Sequence, residues 1–311
     1  MSLESASTEA DIKTYYSLGK ALLEPENVRS LDLHYKDLEE LPEEIFSLTN
    51  LEELIVWNNR IKYVPEKISK LKNLKKLDLS GNQIITIPAS ISELTGLKTL
   101  VLSWNKLTEL PSSIGNLTNL ERLGLNNNRL KELPDSIGNL TNLKELIVGD
   151  NEIKSLPDTI GNLYKLEKLR VPGNHLSTLP KTIGSLTNLI KLEISENNIT
   201  EIPSEIGDLT NLSKIRLYKN LLSSLPDSIG KLSNLKKLFL YENELSELPE
   251  SICNLTKLEE LELGFNSLTR LPENISNLKN LKYVSLASND FADDEKSRIK
   301  SSLPNTRIDW F

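Results

Sequence analysis

Residues 120–142 read LERLGLNNNRLKELPDSIGNLTN, and residues 143–165 follow without a gap as LKELIVGDNEIKSLPDTIGNLYK. Set one under the other, the lines agree at Leu120 and Leu143, Leu123 and Leu146, Asn128 and Asn151, Pro134 and Pro157, and Ile137 and Ile160. The frame extends both ways at a period of 23 residues. Its first position falls at Val28, Leu51, Leu74, Leu97 and onward to Leu281, twelve units with no insertion. A unit this short cannot bury its own apolar face and must stack on its neighbours. The chain of 311 residues is long enough for two domains but is therefore expected to form one elongated domain.

Each half of the unit predicts its own geometry. Apolar residues at positions four and six, such as Leu77 and Leu79, alternate with period two, which predicts a short strand with one buried face. Identical units in series make these strands parallel, one per unit. The second half, Leu-Pro-x-x-Ile-x-x-Leu, carries Pro65, Pro88, Pro111 and eight equivalents. Proline lacks an amide hydrogen and fixes φ, so this segment is expected to return the chain by an extended or 3₁₀-like path outside the sheet. Ile114 and Leu117, three residues apart, turn inward from it. Position nine is asparagine in eleven of the twelve units, Asn59 to Asn289, with Lys36 in the first. An amide offers donors and an acceptor together, so these residues are expected to form an internal ladder that satisfies the turn backbones. The first loop is expected to manage with water in place of that ladder.

The pattern LP-xx-IG-xL-TNL, carried over about residues 28–294, resembles the leucine-rich repeat family in its 23-residue form. The resemblance implies an α/β fold: a curved solenoid with a parallel concave sheet and 3₁₀ or extended return segments on the convex side. The opening Tyr15-Tyr16-Ser-Leu-Gly-Lys-Ala-Leu-Leu, leading to Asn27-Val-Arg-Ser-Leu-Asp-Leu, resembles the N-terminal cap of secreted, spirochaete-type bacterial members. The ends of such a stack need covers. Residues 1–27 are read as the N-terminal cap. A helix over 8–23 would place Ile12, Tyr15, Tyr16, Leu22 and Leu23 together and be capped by Thr8 and Asp11. Residues 28–294 are the solenoid and 295–311 the C-terminal cap. Asp293 to Ser302 is expected to be helical, with acidic residues in its first turn. Thr306 to Phe311 would then add a last strand, with Trp310 and Phe311 in the cap core.

A net charge of −7 and a pI near 5.2 argue against nucleic acid or an acidic membrane as the main partner. The one cysteine, Cys253, excludes an intramolecular disulfide and fits the cytosol or a bacterial compartment. No run is long enough to predict a transmembrane helix, so no membrane insertion is expected. The first residues lack the basic and apolar regions of a signal peptide. A signal removed from upstream would place the protein outside the cell or on its surface; otherwise the cytoplasm is expected.

No catalytic set emerges. His34 and His175 lie six units apart, cannot share a metal, and are read as surface residues. Cys253 stands where other units carry Gly115, Gly138 or Gly161 and is read as structural. Six N-x-S/T sequons, Asn116 and Asn139 among them, recur with the repeat and are read as its by-products. Neither an enzyme activity nor a cofactor or metal is expected.

Positions that do not vary between units build the solenoid. Positions three, five, seven and eight are free to differ and are expected to face solvent from the sheet, with equivalents about 4.8 Å apart along the stack. Aromatics are only 5% of the chain, yet several fall on these positions. Trp57 and Trp104, with Ile55 and Val101, would form an N-terminal patch; Tyr218, Phe239, Tyr241 and Phe265 would form a C-terminal one. Exposed aromatics on a rigid surface act as binding anchors, unless they merely pack on each other to shield the sheet. Lys168, Lys191, Lys214 and Lys237 occupy position three in four successive units, beside Arg170 and Arg216. That row reads as a docking strip for an acidic partner, unless Glu193 and Glu196 neutralise it. The expected function is binding of a protein or peptide on the concave face by a monomer. The resemblance implies a bacterial protein that meets host or envelope proteins. The alternatives are an intracellular scaffold holding an enzyme or small GTPase, and a purely structural or self-associating protein.

Overall fold

The computed structural model describes residues 12–311. One parallel sheet runs in strict chain order. Its strands are β1 (Thr14–Tyr15), β2 (Ser30–Asp32), β3 (Glu53–Ile55), β4 (Lys76–Asp78), β5 (Thr99–Val101), β6 (Arg122–Gly124) and β7 (Glu145–Ile147). They continue as β8 (Lys168–Arg170), β9 (Lys191–Glu193), β10 (Lys214–Arg216), β11 (Lys237–Phe239), β12 (Glu260–Glu262), β13 (Tyr283–Ser285) and β14 (Arg307–Asp309). Within the repeats each residue pairs with its equivalent in the next unit, as Lys191 with Lys214 and Glu193 with Arg216. The middle residue of each strand points inward; Leu54, Leu77 and Leu100 are fully buried, as are Leu79 and Leu102 at position six. Each such leucine contributes about 1.5–3 kcal/mol by leaving water, and the core is one continuous column from cap to cap.

Beyond each strand the chain returns through a 3₁₀ turn, such as Ser112–Asn116, preceded by Pro111 at φ −65°, ψ 142°. Proline sits well there because the first residues of a helical turn have no acceptor for their amides. On this convex side a glycine allows neighbouring turns to close up. A β-carbon on Gly138 would lie 2.4 Å from the Thr159 carbonyl oxygen. Cys253 takes the equivalent place where the next turn is shortened to Ile275–Asn277, and it is buried there as a structural residue.

The asparagine ladder forms as expected. Asn197 donates from Nδ2 to the carbonyls of Val171 at 2.9 Å, Ser195 at 3.0 Å and Ile194 at 3.2 Å. Its Oδ1 accepts from the Leu176 amide at 3.0 Å. Asn59 likewise accepts from the amides of Lys36 and Leu38. Each asparagine thus closes the loop of the unit before it. Lys36 is tolerated because no repeat precedes it, and its own loop is closed by Asn59, not by water. A second ladder was not anticipated. The asparagine of the TNL signature donates to a carbonyl 24 residues earlier, as Asn142 does to Thr118 and Asn211 to Thr187, each at 2.8 Å.

The caps differ in part from expectation. The proposed helix over 8–23 is not formed through its middle. Thr14–Tyr15 is a strand paired with β2, and only a single turn, α1 (Leu18–Ala21), is helical. Covering the open amides and carbonyls of β2 favours a strand at that point. Tyr15 and Ala21 are buried, whereas Tyr16 and Leu23 are exposed; Thr8 and Asp11 lie outside the described residues. At the other end α2 (Asp293–Ser302) and β14 form as expected. Glu295 Oε1 accepts from the Leu271 amide at 2.9 Å, while Arg298 donates to the Leu271 carbonyl at 2.6 Å. The cap helix thereby satisfies both backbone groups of Leu271. Trp310 packs edge-on against Phe291, with ring centroids 5.8 Å apart. Phe311 lies beyond the last strand and is fully exposed, so it is not part of the cap core.

Candidate binding face

Positions three, five, seven and eight all open onto the concave side, and position eight has a backbone property of its own. In every unit it lies in the left-handed region, with φ from 50° at Tyr35, Asn58 and Ser288 to 63° at Gly81. Glycine fits there without penalty and asparagine with little, whereas another side chain costs on the order of 1–2 kcal/mol. Three units nevertheless place aromatics there. Tyr35, Trp104 and Phe265 are 65%, 62% and 58% exposed, so burial does not offset the strain. Tyr35 packs against the His34 and Trp57 rings, whereas Trp104 and Phe265 have no ring partner among the described residues.

Of the expected C-terminal group, two members meet, and Phe265 forms no ring pair among the described residues. Tyr218 and Tyr241 stack face to face, 4.5 Å between centroids and 6° between planes. The Tyr241 phenol is pushed up to about 12, first by burial and then by Tyr218 and the carboxylates of Glu262, Glu242 and Glu196. Phe239 is a correction. It is buried, with the Lys214 ammonium 4.9 Å and the Arg216 guanidinium 5.6 Å from its ring centre, so it supports these cations and offers no anchor of its own.

The N-terminal group is assembled differently. Trp57 stacks on His34 at 4.9 Å and 7°, and Tyr35 meets Trp57 edge-on at 4.8 Å. His34 Nδ1 lies 2.6 Å from Asp32 Oδ1. His34 is therefore a member of the aromatic group and not an ordinary surface residue; its place at position seven, one unit before Trp57, was the signal in the sequence. Trp104 stands two units on, at the left-handed position, and forms no ring pair with Trp57 among the described residues. Ile55 and Val101 are half-buried and separated by Asp78 in the strand register. The four residues do not make one patch.

The basic row is in register across β8 to β11, and its members differ in their partners. Lys168 lies 3.5 Å from Glu145, and Lys237 pairs with Glu260. Glu193 accepts from Arg170 at 2.9 Å and Arg216 at 3.1 Å, so one carboxylate is shared by two arginines and offsets one of their two charges. Lys191 and Lys214 form no ion pair among the described residues. Burial lowers the Lys214 ammonium, with Arg216 and Lys237 acting in the same sense. A shallow cavity of about 230 Å³ opens here, lined by Lys168, Arg170, Lys191, Lys214 and Arg216 with Glu145 and Glu193.

Among the described residues no group of three or more His, Cys, Asp or Glu is placed to hold a metal ion, and no helix is long and apolar enough to cross a membrane. Models of the leucine-rich repeat region match residues 66–149, 88–173 and 215–304, and a leucine rich repeat model matches 26–84 and 165–222. The chain belongs to the leucine-rich repeat family. No curated protein matches it. Three solved structures illustrate the range of its likeness. A leucine-rich repeat protein of Leptospira interrogans is 32% identical over 96% of this chain and 100% of its own, with a TM-score of 0.49. The plant peptide hormone receptor RGFR1, solved in complex with RGF2, is 33% identical over 85% of this chain and 48% of its own, with a TM-score of 0.73. An internalin, InlF of Listeria monocytogenes, is 26% identical over 92% of this chain and 88% of its own, with a TM-score of 0.71. The chain thus spans about half of the plant receptor and most of the internalin.

Proposed function

We propose that this leucine-rich repeat chain is a binding module that holds a protein or peptide on its concave face. The partner engages the Tyr218–Tyr241 stack and Phe265, beside a basic row that favours acidic groups. Phe265 carries the reading: it is a large apolar side chain, mostly exposed, on a left-handed backbone where glycine would be more stable. A preformed sheet loses little ordering entropy on binding, which suits presentation of fixed anchors. RGFR1, with its bound RGF2, supports a protein or peptide ligand. The likeness to an internalin over nearly the whole of both chains favours a bacterial setting, in which the partner is a host or envelope protein. On the convex side, the sole thiol is pushed up to about 11 by burial and by Glu250, away from nucleophilic use.

The test compares cross-linked capture by the native protein, a Phe265→Gly variant and a Trp104→Gly variant. Neither glycine removes a core side chain. Capture lost in Phe265→Gly, with melting temperature unchanged or raised, supports the C-terminal anchor. Equal capture by native and Phe265→Gly protein would remove Phe265 from the site and shift attention to the convex face and caps.

A further inference from the structure

Within the basic row two lysines stand apart. Lys191 and Lys214 are direct register partners on β9 and β10, so their stems rise about 4.8 Å apart. Their neighbours on either side are drawn outward, Lys168 to Glu145 and Lys237 to Glu260. Both arginines are tied to Glu193, Arg170 through Nε and Arg216 through one terminal nitrogen, which leaves the other nitrogens of each as donors at a cavity that both residues line. Lys214 is further held over the Phe239 ring. Like charges side by side on a sheet repel, and no carboxylate among the described residues pairs with these two. The fold therefore maintains two adjacent positive charges in a built cavity with oriented donors around them.

We propose that Lys191 and Lys214 form the seat of a doubly charged oxyanion, a phosphoryl group carried on a side chain of the partner; the proposal rests on the concave-face reading above. Five cations against two carboxylates leave the cavity lining a net positive charge large enough to hold one dianion, with Lys191 and Lys214 the two cations that have no ion pair among the described residues. The spacing matches as well. Oxygens of one tetrahedral group can each accept a short bond of about 2.7–2.9 Å from ammoniums roughly 5 Å apart. Acidic side chains on the same face of an extended peptide recur only every ~6.6 Å or more.

The test uses phenyl phosphate as the probe, titrated calorimetrically into native protein, a Lys191→Gln, Lys214→Gln variant, and a control with equal charge removed, Lys131→Gln, Lys154→Gln. The native and control proteins are expected to bind alike, and the double variant at least ~10-fold more weakly. Native binding should strengthen between pH 5 and pH 7.5, as the phosphomonoester loses its second proton near about 6, while sulfate binding stays level. Absence of native binding, or equal binding by the double variant, overturns the seat. Because the probe needs no partner, that failure leaves the Phe265 test standing. Conversely, phosphate binding that persists while partner capture ignores Phe265 would sink the C-terminal anchor and not the seat.

Discussion

Replacing Asn197 by alanine should destabilise the protein far more than replacing the equally recurrent Asn188. Asn197 is buried, and its side chain serves four backbone groups: the Leu176 amide and the carbonyls of Val171, Ile194 and Ser195. The Ser195 carbonyl keeps the Gly173 amide as a partner at 3.0 Å. The Val171 and Ile194 carbonyls keep Asn174 Nδ2 at 3.4 Å and Asn220 Nδ2 at 3.1 Å, so only the buried Leu176 amide is left without a partner. An orphaned buried group costs about 1–3 kcal/mol and the weakened carbonyl bonds add to it, so the expected loss is about 2–4 kcal/mol. Asn188 is exposed and makes one such bond, to the Tyr164 carbonyl at 2.7 Å, which water can replace. Its loss should cost under about 1 kcal/mol. Urea unfolding followed by far-UV circular dichroism and tryptophan fluorescence measures both. Trp57 and Trp104 report on the N-terminal units and Trp310 on the C-terminal cap, so a fluorescence transition that splits in Asn197→Ala would show the stack uncoupling at the lesion. A loss in Asn197→Ala within ~1 kcal/mol of that in Asn188→Ala would refute the claim that the inner ladder, and not the outer one, closes the loops.

Other outcomes follow from the convex side and the caps. Gly138→Ala should destabilise by about 2 kcal/mol or more, because the added carbon meets the Thr159 backbone and not a flexible side chain; a melting temperature equal to native would contradict this. Cys253 should resist a thiol-specific disulfide reagent at pH 8 in the folded protein and react once urea unfolds it, since its thiol is held at about 11. Glu295 has its carboxyl lowered first by its bond to Arg298, with burial opposing and the Leu271 amide assisting. A lowered folded-state value stabilises above the unfolded value and is lost as pH falls through the folded one. The native protein should therefore exceed Glu295→Gln in stability near neutral pH, and the gap should close with acidification; a gap that widens in acid would refute the clamp.

The repeat period, the sheet direction, the inner ladder and the C-terminal helix and strand were all legible because each is written many times or carries a strong local signal. The N-terminal cap was not. The apolar spacing of Ile12, Tyr15, Tyr16 and Leu22 suits a helix, yet the demand of the β2 edge for partners makes Thr14–Tyr15 a strand. The left-handed position was only half written: Gly81, Gly173, Asn58 and Asn127 point to it, but aromatic and charged residues at the equivalent places conceal it. Which aromatics would meet depended on that hidden bend. Trp104 on that bend meets no other ring among the described residues, while position seven brings His34 to Trp57 and Tyr218 to Tyr241. Phe239 read as an anchor because its strand position faces outward, and nothing in spacing alone shows that Lys214 and Arg216 lie over its ring.

The inner ladder also has a direction in time. Every asparagine reaches back to the loop of the unit before it, as Asn59 does to Lys36 and Leu38 and Asn289 does to Leu268. A unit leaving the ribosome is therefore open until its successor has been made. During synthesis the ordered front would trail the growing end by one repeat, and α2 and β14 would seal the stack once both had emerged. Interrupted translation would leave a chain whose final loop is always unfinished, an end that quality-control proteases could recognise whatever unit the interruption falls in.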